Sequence, residues 1–317
     1  MNPKRPQGFT LDIPFAVPPQ LDATMDIQIP ALAWQSTGDG GYRRTLHPGD
    51  RPITIEVHQS EQGLLFTADG QHPNLPDLLR RMFPTQVADL QLGADPRLRA
   101  LRRRYRGVVV MWAPPFEALV LTVLSQNRTG EIVRRVYPHL DAACHGLTPQ
   151  RLADLDPDTL RTVIRSAGPY KADRLSQLAK LVAADGIDSF NTRIVDAPAA
   201  QALSYLETLP GVAHKTAACV LVFSARTSAT LPVDVHLFRV AGRLGLADHD
   251  GRLTTTSRDA VINALLAHGP DTALAHFLFL LVGRTTCTAA DPTCGSCFLR
   301  GRCRHAATAS LSRKATP

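Results

Sequence analysis

Four of the six cysteines in this 317-residue chain lie close together near its C-terminal end. They are Cys287, Cys294, Cys297 and Cys303, with the spacing C-x6-C-x2-C-x5-C. Thiolates in such a pattern can form disulfides, bind zinc or hold an iron–sulfur cluster. Zinc sites usually pair two C-x2–4-C knuckles, and only Cys294 and Cys297 form one here. The spacing therefore favours a cluster held by one compact loop, with zinc as the alternative.

A lysine and an aspartate form a second candidate set. Lys215 follows the segment Leu209-Pro-Gly-Val-Ala-His, and Asp234 lies in LPVDVH. A desolvated amine can attack a carbon and form a Schiff base. A carboxylate can stabilise the positive charge that develops on a sugar. The simpler alternative for Asp234 is an N-cap of the following helix.

The segment before Lys215 has a composition suited to binding an anion. A helix, a short Gly-containing hairpin and a second helix can point backbone N–H groups toward a phosphate, although a plain interhelical turn is the alternative. The net charge of +7 and the pI near 9.3 favour a polyanionic partner. Arg300 and Arg302 precede the last cysteine of the loop, and DPRLRALRRRYRG forms a second basic run.

The elements that position these residues change character along the chain. Residues 20–70 predict short antiparallel strands, including MDIQIPALAW (25–34) and the alternating Ile53–Val57. From Asp95 onward the pattern predicts helices separated by Gly and Pro, with helix caps at Asp156 and Asp196.

Apolar runs are short throughout the chain. The longest, residues 273–282, is interrupted by His276 and is too short to span a bilayer. We therefore expect a soluble intracellular protein that needs no membrane. Intracellular thiols stay reduced, which disfavours the disulfide interpretation of the four cysteines.

Three motifs in order carry a family resemblance. PPFEALVLTVLSQN, LPGVAHKTAACVLVFS with PVDVHLFRVAGRLGL, and the cysteine loop resemble the helix–hairpin–helix DNA glycosylases of the endonuclease III family. The match covers roughly residues 95–305. A strand-rich N-terminal part also resembles the two-domain architecture of 3-methyladenine glycosylase II and 8-oxoguanine glycosylases.

The resemblance implies roles for particular residues. Lys215 falls on the Schiff-base lysine and Asp234 on the catalytic aspartate. The four cysteines fall on the ligands of a 4Fe–4S cluster. The side chain that replaces the flipped base falls on Gln126 or Asn127, which the resemblance does not separate. DNA contacts are further expected from Arg300, Arg302 and the hairpin residues Leu209, Pro210, Gly211, Val212, Ala213 and His214.

The chain departs from the family pattern near the expected DNA surface. The usual second glycine of the hairpin is Ala213, and the usual aspartate after the wedge position is Gly130. The stretch AGPYKADRL is shorter than the corresponding family stretch, and TAADPT between the first two loop cysteines lacks basic residues.

The predicted fold is mainly α. It divides into a small antiparallel β domain (1–85), a helical helix–hairpin–helix core (86–286), a 4Fe–4S loop (287–305) and a disordered tail (306–317). We expect a monomeric, cytoplasmic, nucleoid-associated DNA glycosylase with AP lyase activity on double-stranded DNA carrying a damaged base or abasic site. The alternatives are a monofunctional alkylpurine or mismatch glycosylase, and a DNA-binding relative with little catalysis. The sequence does not identify the lesion.

Overall fold

The structure is a computed structural model that describes residues 8–26, 28–49, 51–85, 92–225 and 227–308. The strands are β1 (Phe9–Pro14), β2 (Gln35–Ser36), β3 (Tyr42–Leu46), β4 (Ile53–Gln59) and β5 (Gly63–Ala68). The helices are α1 (Leu21–Met25), α2 (Leu75–Met82), α3 (Pro96–Arg104), α4 (Pro115–Ser125), α5 (Gly130–Ala143), α6 (Pro149–Asp154), α7 (Pro157–Val163), α8 (Lys171–Asp185), α9 (Ile187–Val195), α10 (Ala199–Glu207), α11 (His214–Ser224), α12 (Val235–Leu244), α13 (Thr255–Leu266) and α14 (Thr272–Thr285). The predicted mainly α class, with an antiparallel β part near the N-terminus, is confirmed.

The chain forms two compact units, each made from two stretches of sequence. The first comprises Met1–Ala88 and Gly107–Ala225, and the second comprises Asp89–Arg106 and Arg226–Pro317. The first unit contains the sheet, α1, α2 and α4–α11, and the second contains α3, α12–α14 and the cysteine loop. The four-part domain division expected from the sequence stays a prediction.

The strands of the first unit form one antiparallel sheet in the order β1-β5-β4-β3-β2. Ile53, Ile55 and Val57 of β4 alternate inward and are buried, as the two-residue period of a half-buried strand requires. An aromatic core lies behind the sheet, where the rings of Trp34 and Phe83 are 5.4 Å apart, edge to face.

The described part of the segment 25–34 is not a strand. It contains the end of α1 and a 3-10 helix over Pro30–Ala33, all of whose residues are buried. Pro30 at the first helical position has a backbone preorganised for a helix, and the apolar residues follow one another without alternation. The pairing of β1 with β5 was also not evident from the sequence.

Apolar packing around α4 forms the centre of the first unit's helical part. Residues from Pro115 to Leu124 are all buried, so this helix has no solvent-facing side. It packs against α11, and the Ala113 N–H before it donates to the Phe223 carbonyl at 3.2 Å. β3 is joined to α4 by a buried ion pair, with 2.6 Å between Arg44 Nη2 and Glu117 Oε2.

In the second unit, α3 is held against the C-terminal stretch. Arg97 donates to the carbonyls of Leu244 and Gly245 at 3.0 and 2.9 Å, and the rings of Tyr105 and Phe298 meet edge to face at 6.2 Å. Residues 304–308 are helical, so the disordered tail predicted for 306–317 is wrong at residues 306–308. The rest of that predicted tail, from 309 onward, lies outside the described residues. Within the described parts of the chain, no helix combines the length and hydrophobicity needed to cross a bilayer.

Candidate functional site

The hairpin between α10 and α11 is fixed by two apolar side chains. Leu209 and Val212 are buried, and the Val212 N–H donates to the Leu209 carbonyl at 3.1 Å, which closes the turn. Gly211 lies at the exposed tip with φ +71°, a conformation that glycine adopts without strain. The two apolar side chains therefore anchor the hairpin in the protein interior, while its tip at Gly211 is exposed to solvent.

Ala213 fits the hairpin without strain. Its φ of −89° and ψ of 171° lie in the extended region that any residue adopts, so this position does not require glycine. An alanine side chain cannot accept a hydrogen bond, and α11 therefore begins without a side-chain cap. The first N–H groups of α11, together with the positive end of its dipole, suit a phosphate.

Lys215 lies in the first turn of α11, with its side chain partly exposed. His214, just before it, has its Nδ1 atom 2.9 Å from Glu207 Oε1 at the end of α10. This contact joins the two helices that flank the hairpin. Lys215 and the hairpin belong to the first compact unit.

Asp234 lies in the second unit and is the N-cap of α12. Its Oδ1 atom accepts hydrogen bonds from the backbone N–H groups of His236 and Leu237 at 3.0 and 2.8 Å. The preceding segment is held by His276 of α14, whose Nδ1 is 2.7 Å from the Pro232 carbonyl oxygen. The simple N-cap interpretation is thus confirmed, and it orients the carboxylate at a helix N-terminus that is partly exposed.

The loop after α4 has two polar residues with different environments. The side-chain amide of Gln126 donates to the Gly211 carbonyl and to Thr216 Oγ1, and its oxygen accepts from Arg174. Asn127 is exposed and has φ +55°, a conformation tolerated by asparagine better than by most residues. Of the two candidates for the base-replacing side chain, Asn127 is the one that projects into solvent.

Three residues at the start of α8 and just before it were not predicted as site residues from the sequence. Lys171 is 0% exposed, and its Nζ donates to the carbonyls of Leu124 and Gln126 at 2.7 and 2.6 Å. Arg174 contacts the Gln126 side chain, and the Tyr170 ring is 59% exposed. A Gly-Pro turn followed by Tyr and Lys was the available signal, since an exposed aromatic residue beside basic residues suits base stacking.

Lys171 also has the pKa expected of a nucleophilic amine. Burial, and then the charges of Arg128 and Arg174, lower its pKa from 10.5 to about 8. Its amine is nevertheless inaccessible, and it donates to two carbonyl groups at short distance. A structural role therefore fits Lys171, and the partly exposed Lys215 remains the candidate nucleophile.

The four loop cysteines converge in the second unit. Cys287, Cys294, Cys297 and Cys303 line one pocket together with apolar side chains of α12 and α14, and all four are free thiols. Burial raises the pKa of the Cys297 thiol, and the proximity of the other three cysteines raises it further. Half-buried thiols that face one cavity are candidate metal ligands.

Among the described residues, no three or more Cys, His, Asp or Glu side chains form a group that could hold a single metal ion. The four loop cysteines nevertheless line one pocket.

Two arginines on one face of α12 hold the start of the cysteine loop. Arg239 donates to the carbonyls of Cys287 and Gly283 at 3.0 and 2.8 Å. One turn later, Arg243 donates to the Cys287 sulfur at 3.4 Å and to the carbonyls of Thr288 and Ala289. The helix that Asp234 caps is therefore directly bonded to the loop.

The basic residues of the second unit divide into structural and exposed groups. Arg97 is paired with Asp95 and, through this hydrogen bond, lowers the pKa of that carboxyl to about 2. Arg300 and Arg302 are exposed on a 3-10 helix, where Arg300 makes a 3.4 Å contact with the Gly295 carbonyl. These two arginines are available to phosphates, whereas Arg97 stabilises the fold.

Comparison with known proteins identifies relatives of this chain. Residues 120–261 match the HhH-GPD superfamily of base excision DNA repair proteins. The chain is 35% identical to endonuclease III of Treponema pallidum over 196 residues, which is 61% of this chain and 84% of the relative. It is 31% identical to endonuclease III of Thermotoga maritima over 195 residues, which is 60% of this chain and 82% of the relative.

Solved structures give the same relationship. A trapped endonuclease III–DNA covalent intermediate matches with 29% identity and a TM-score of 0.51, over 63% of this chain and 88% of that one. An 8-oxoguanine glycosylase/lyase from Clostridium acetobutylicum in complex with double-stranded DNA is 13% identical, has a TM-score of 0.67, and shares the fold over 87% of this chain and 97% of its own. The chain belongs to the endonuclease III family of base excision DNA repair proteins.

Proposed function

We propose that this protein is a base-excision DNA glycosylase that removes a damaged base from double-stranded DNA and cleaves the abasic site by β-elimination. The observation that carries this proposal is the partly exposed Lys215 in the first turn of α11, directly after an anchored hairpin with an uncapped helix N-terminus. The hairpin suits a DNA phosphate, and the lysine suits covalent chemistry on the adjoining sugar. Because the proposed substrate is DNA, we expect the protein to act at the nucleoid in the cytoplasm.

In the proposed reaction, Lys215 Nζ attacks C1′ of the flipped nucleotide. The C1′–N bond to the base breaks as the Nζ–C1′ bond forms, and the departing base takes up a proton. The C1′–O4′ bond then breaks, O4′ takes up a proton, and the nitrogen lone pair forms the C=N bond of an iminium. This iminium acidifies the C2′ protons. Loss of one of them expels the 3′ phosphate and cuts the strand on the 3′ side of the sugar.

The carboxylate of Asp234 stabilises the positive charge that develops on the sugar as the base leaves. Its Oδ1 is already held by two backbone N–H groups of α12. Because those bonds fix the rotamer, the carboxylate needs little reorganisation in the transition state.

DNA contacts are assigned to three groups of residues. The hairpin from Leu209 to His214 binds the backbone phosphates through its N–H groups, and Arg300 and Arg302 add phosphate contacts. Asn127 fills the space left by the flipped nucleotide. The exposed ring of Tyr170 offers a stacking surface for an unpaired base.

The four loop cysteines are assigned to a 4Fe–4S cluster. Their free thiols line a single pocket, which fits a cluster ligated by four thiolates. When bound, such a cluster supplies a rigid crosslink for the loop that carries Arg300 and Arg302. None of the steps above requires it as a reactant.

Borohydride trapping on a duplex that contains one abasic site tests the proposal. The wild-type protein should become covalently attached to the DNA, and Lys215→Gln should abolish this product while duplex affinity is retained. Lys180→Gln, a change at an exposed position on α8, is the matched control and should trap at the wild-type rate. Undiminished trapping by Lys215→Gln would overturn the assignment.

Asp234→Asn separates chemistry from folding, because asparagine is an equally good N-cap. Base release should fall by about 100-fold or more, while the thermal midpoint stays near that of the wild type.

A panel of duplexes with oxidised pyrimidines, 8-oxoguanine and alkylated bases identifies the lesion. Base release without any trapping would indicate the monofunctional alternative. If the protein shows neither base release nor trapping, it is a DNA-binding relative with little catalysis.

A further inference from the structure

Gln126 stands apart from its neighbours in the loop after α4 because its side chain faces the protein. Its Nε2 donates to the Gly211 carbonyl at 3.2 Å and to Thr216 Oγ1 at 3.1 Å. Its Oε1 accepts from Arg174 Nη1 at 3.1 Å. One amide therefore touches the tip of the hairpin, the first turns of α11 and the start of α8.

Arg174 completes this arrangement from the other side. A Cβ placed on Gly211 would lie 2.1 Å from Arg174 Nε, so the guanidinium packs directly on the glycine. The glycine thus serves both the positive φ of the turn and the close approach of Arg174. The hairpin tip is held between the Gln126 amide and the Arg174 guanidinium.

The main chain at position 126 is held separately. Buried Lys171 donates to the carbonyls of Leu124 and Gln126, and these bonds do not involve the glutamine side chain. The loop backbone should therefore keep its place when the Gln126 side chain is replaced. This separation makes the side-chain function testable without unfolding the loop.

We propose that Gln126 is a positioning residue that joins the loop carrying Asn127 to the phosphate-binding hairpin, so that both engage DNA as one rigid body. The inference rests on the proposed function, since it assigns a purpose to a link between two proposed DNA-contacting segments. When the hairpin is bound to phosphates, it fixes the position from which the Asn127 side chain enters the DNA duplex. Selectivity for a site with a missing base depends on this link, whereas binding to undamaged backbone does not.

The experiment compares two duplexes that differ at one position, an uncleavable tetrahydrofuran abasic analogue or a normal nucleotide. A 2-aminopurine opposite that position reports insertion into the stack by its fluorescence. Gln126→Leu removes all three hydrogen bonds of the side-chain amide and should reduce the ratio of affinities for the two duplexes by about 5- to 10-fold. Affinity for the undamaged duplex should change less than about 2-fold, and the fluorescence signal should weaken.

Three further variants sharpen the comparison: Gln201→Leu, Arg174→Met, and Arg174→Met combined with Gln126→Leu. Gln201→Leu makes the same chemical change at an exposed position on α10 and should leave both affinities unchanged. Adding Arg174→Met to Gln126→Leu should lower the affinity ratio less than the two single effects combined, because the residues share one network.

Equal losses for both duplexes would show that Gln126 only supports the hairpin, and an unchanged ratio would show that its bonds carry no selectivity. Either result overturns the inference. A wild-type protein that does not prefer the abasic duplex would instead contradict the proposed function. The two failures are therefore distinguishable.

Discussion

Lys171 and Lys215 each lie in the first turn of a helix in the first unit, and only Lys215 keeps part of its side chain in solvent. The pattern Gly-Pro-Tyr-Lys gave no indication that Lys171 is buried beneath the end of α4. The local sequence does not encode the two carbonyl groups that it meets, because α4 is more than forty residues earlier in the chain. Burial, not residue type, separates the structural lysine from the candidate nucleophile.

Lys171→Met should alter stability in a pH-dependent way. The pKa of Lys171 is lowered from 10.5 to about 8 in the folded protein, so between these values the unfolded chain binds more protons. The contribution of this group to stability therefore rises with pH across that window. The deprotonated amine keeps two hydrogens for the two carbonyls, whereas methionine leaves both carbonyls unpaired.

The measurement is the difference in thermal midpoint between wild type and Lys171→Met, taken from pH 7 to pH 10. That difference should grow in favour of the wild type above about pH 8. Lys180→Met, on the exposed side of α8, is the control and should give a flat difference. A flat difference for Lys171→Met would contradict the assigned pKa.

The distinction between Gln126 and Asn127 also lay beyond the sequence. Both are polar residues at the end of an apolar helix, and either suits a base-replacing wedge. Their roles separate only when the hairpin carbonyl and Thr216 Oγ1 are brought beside the first of them. The sequence predicted a base-replacing side chain at one of these two positions, and the contacts of Gln126 leave Asn127 as the exposed candidate.

At the scale of elements, most helices were predicted by the periodicity of apolar residues and by the Gly and Pro residues that separate them. Asp156 accepts from the Thr159 N–H at 2.8 Å and caps α7, as predicted. Asp196 instead ends α9, and α10 begins after Pro198, so the predicted cap there is wrong. Pro198 fixes the start of α10 by its own φ, which removes the need for a polar side chain.

Two opposite substitutions in the hairpin, Gly211→Ala and Ala213→Gly, should differ in their effect on the affinity for duplex DNA. Gly211→Ala imposes strain at φ +71° and places a Cβ against Arg174, so duplex affinity should fall by about 10-fold or more. Ala213→Gly changes a residue that is already in an allowed extended conformation. It should alter affinity by less than about 3-fold.

Fluorescence anisotropy with an undamaged duplex measures both effects under one salt condition. Equal effects of the two substitutions would mean that the turn geometry does not determine binding. A larger loss for Ala213→Gly would mean that rigidity at the start of α11 matters more than the tip.

At the scale of the whole molecule, the sequence indicated the helical class and the cysteine loop. It did not indicate that each compact unit would draw on two separate stretches of chain. α3 presents Leu98 and Leu101 as a short apolar stripe, and this pattern does not specify which later segment covers it. The segments that pack against α3 are identified only by contacts in the structure, such as the hydrogen bonds of Arg97 with the end of α12.

The proposed cluster gives a prediction about the second unit. Purified protein should be yellow-brown and contain about four irons per chain, because four thiolates would hold one cubane. Cys297→Ser should lower the iron content and the unfolding temperature, since the loop that contacts α3 loses its crosslink. Trapping per folded molecule should persist, because no proposed step uses the cluster.

Metal analysis, visible absorption and thermal unfolding together measure these effects. Ser296→Ala, at the adjacent exposed position, is the control and should retain the colour and the iron. Colourless protein with one stoichiometric zinc would contradict the cluster assignment.

The division of the second unit into two stretches has a consequence for biosynthesis. α3 is synthesised before residues 107–225, and the rest of its compact unit begins only at position 226. At ~5–20 residues per second, this leaves the apolar stripe of α3 uncovered for about 6 to 24 s. The cysteines emerge later still, so the nascent chain must stay soluble, and its thiols must stay reduced until the proposed cluster is loaded.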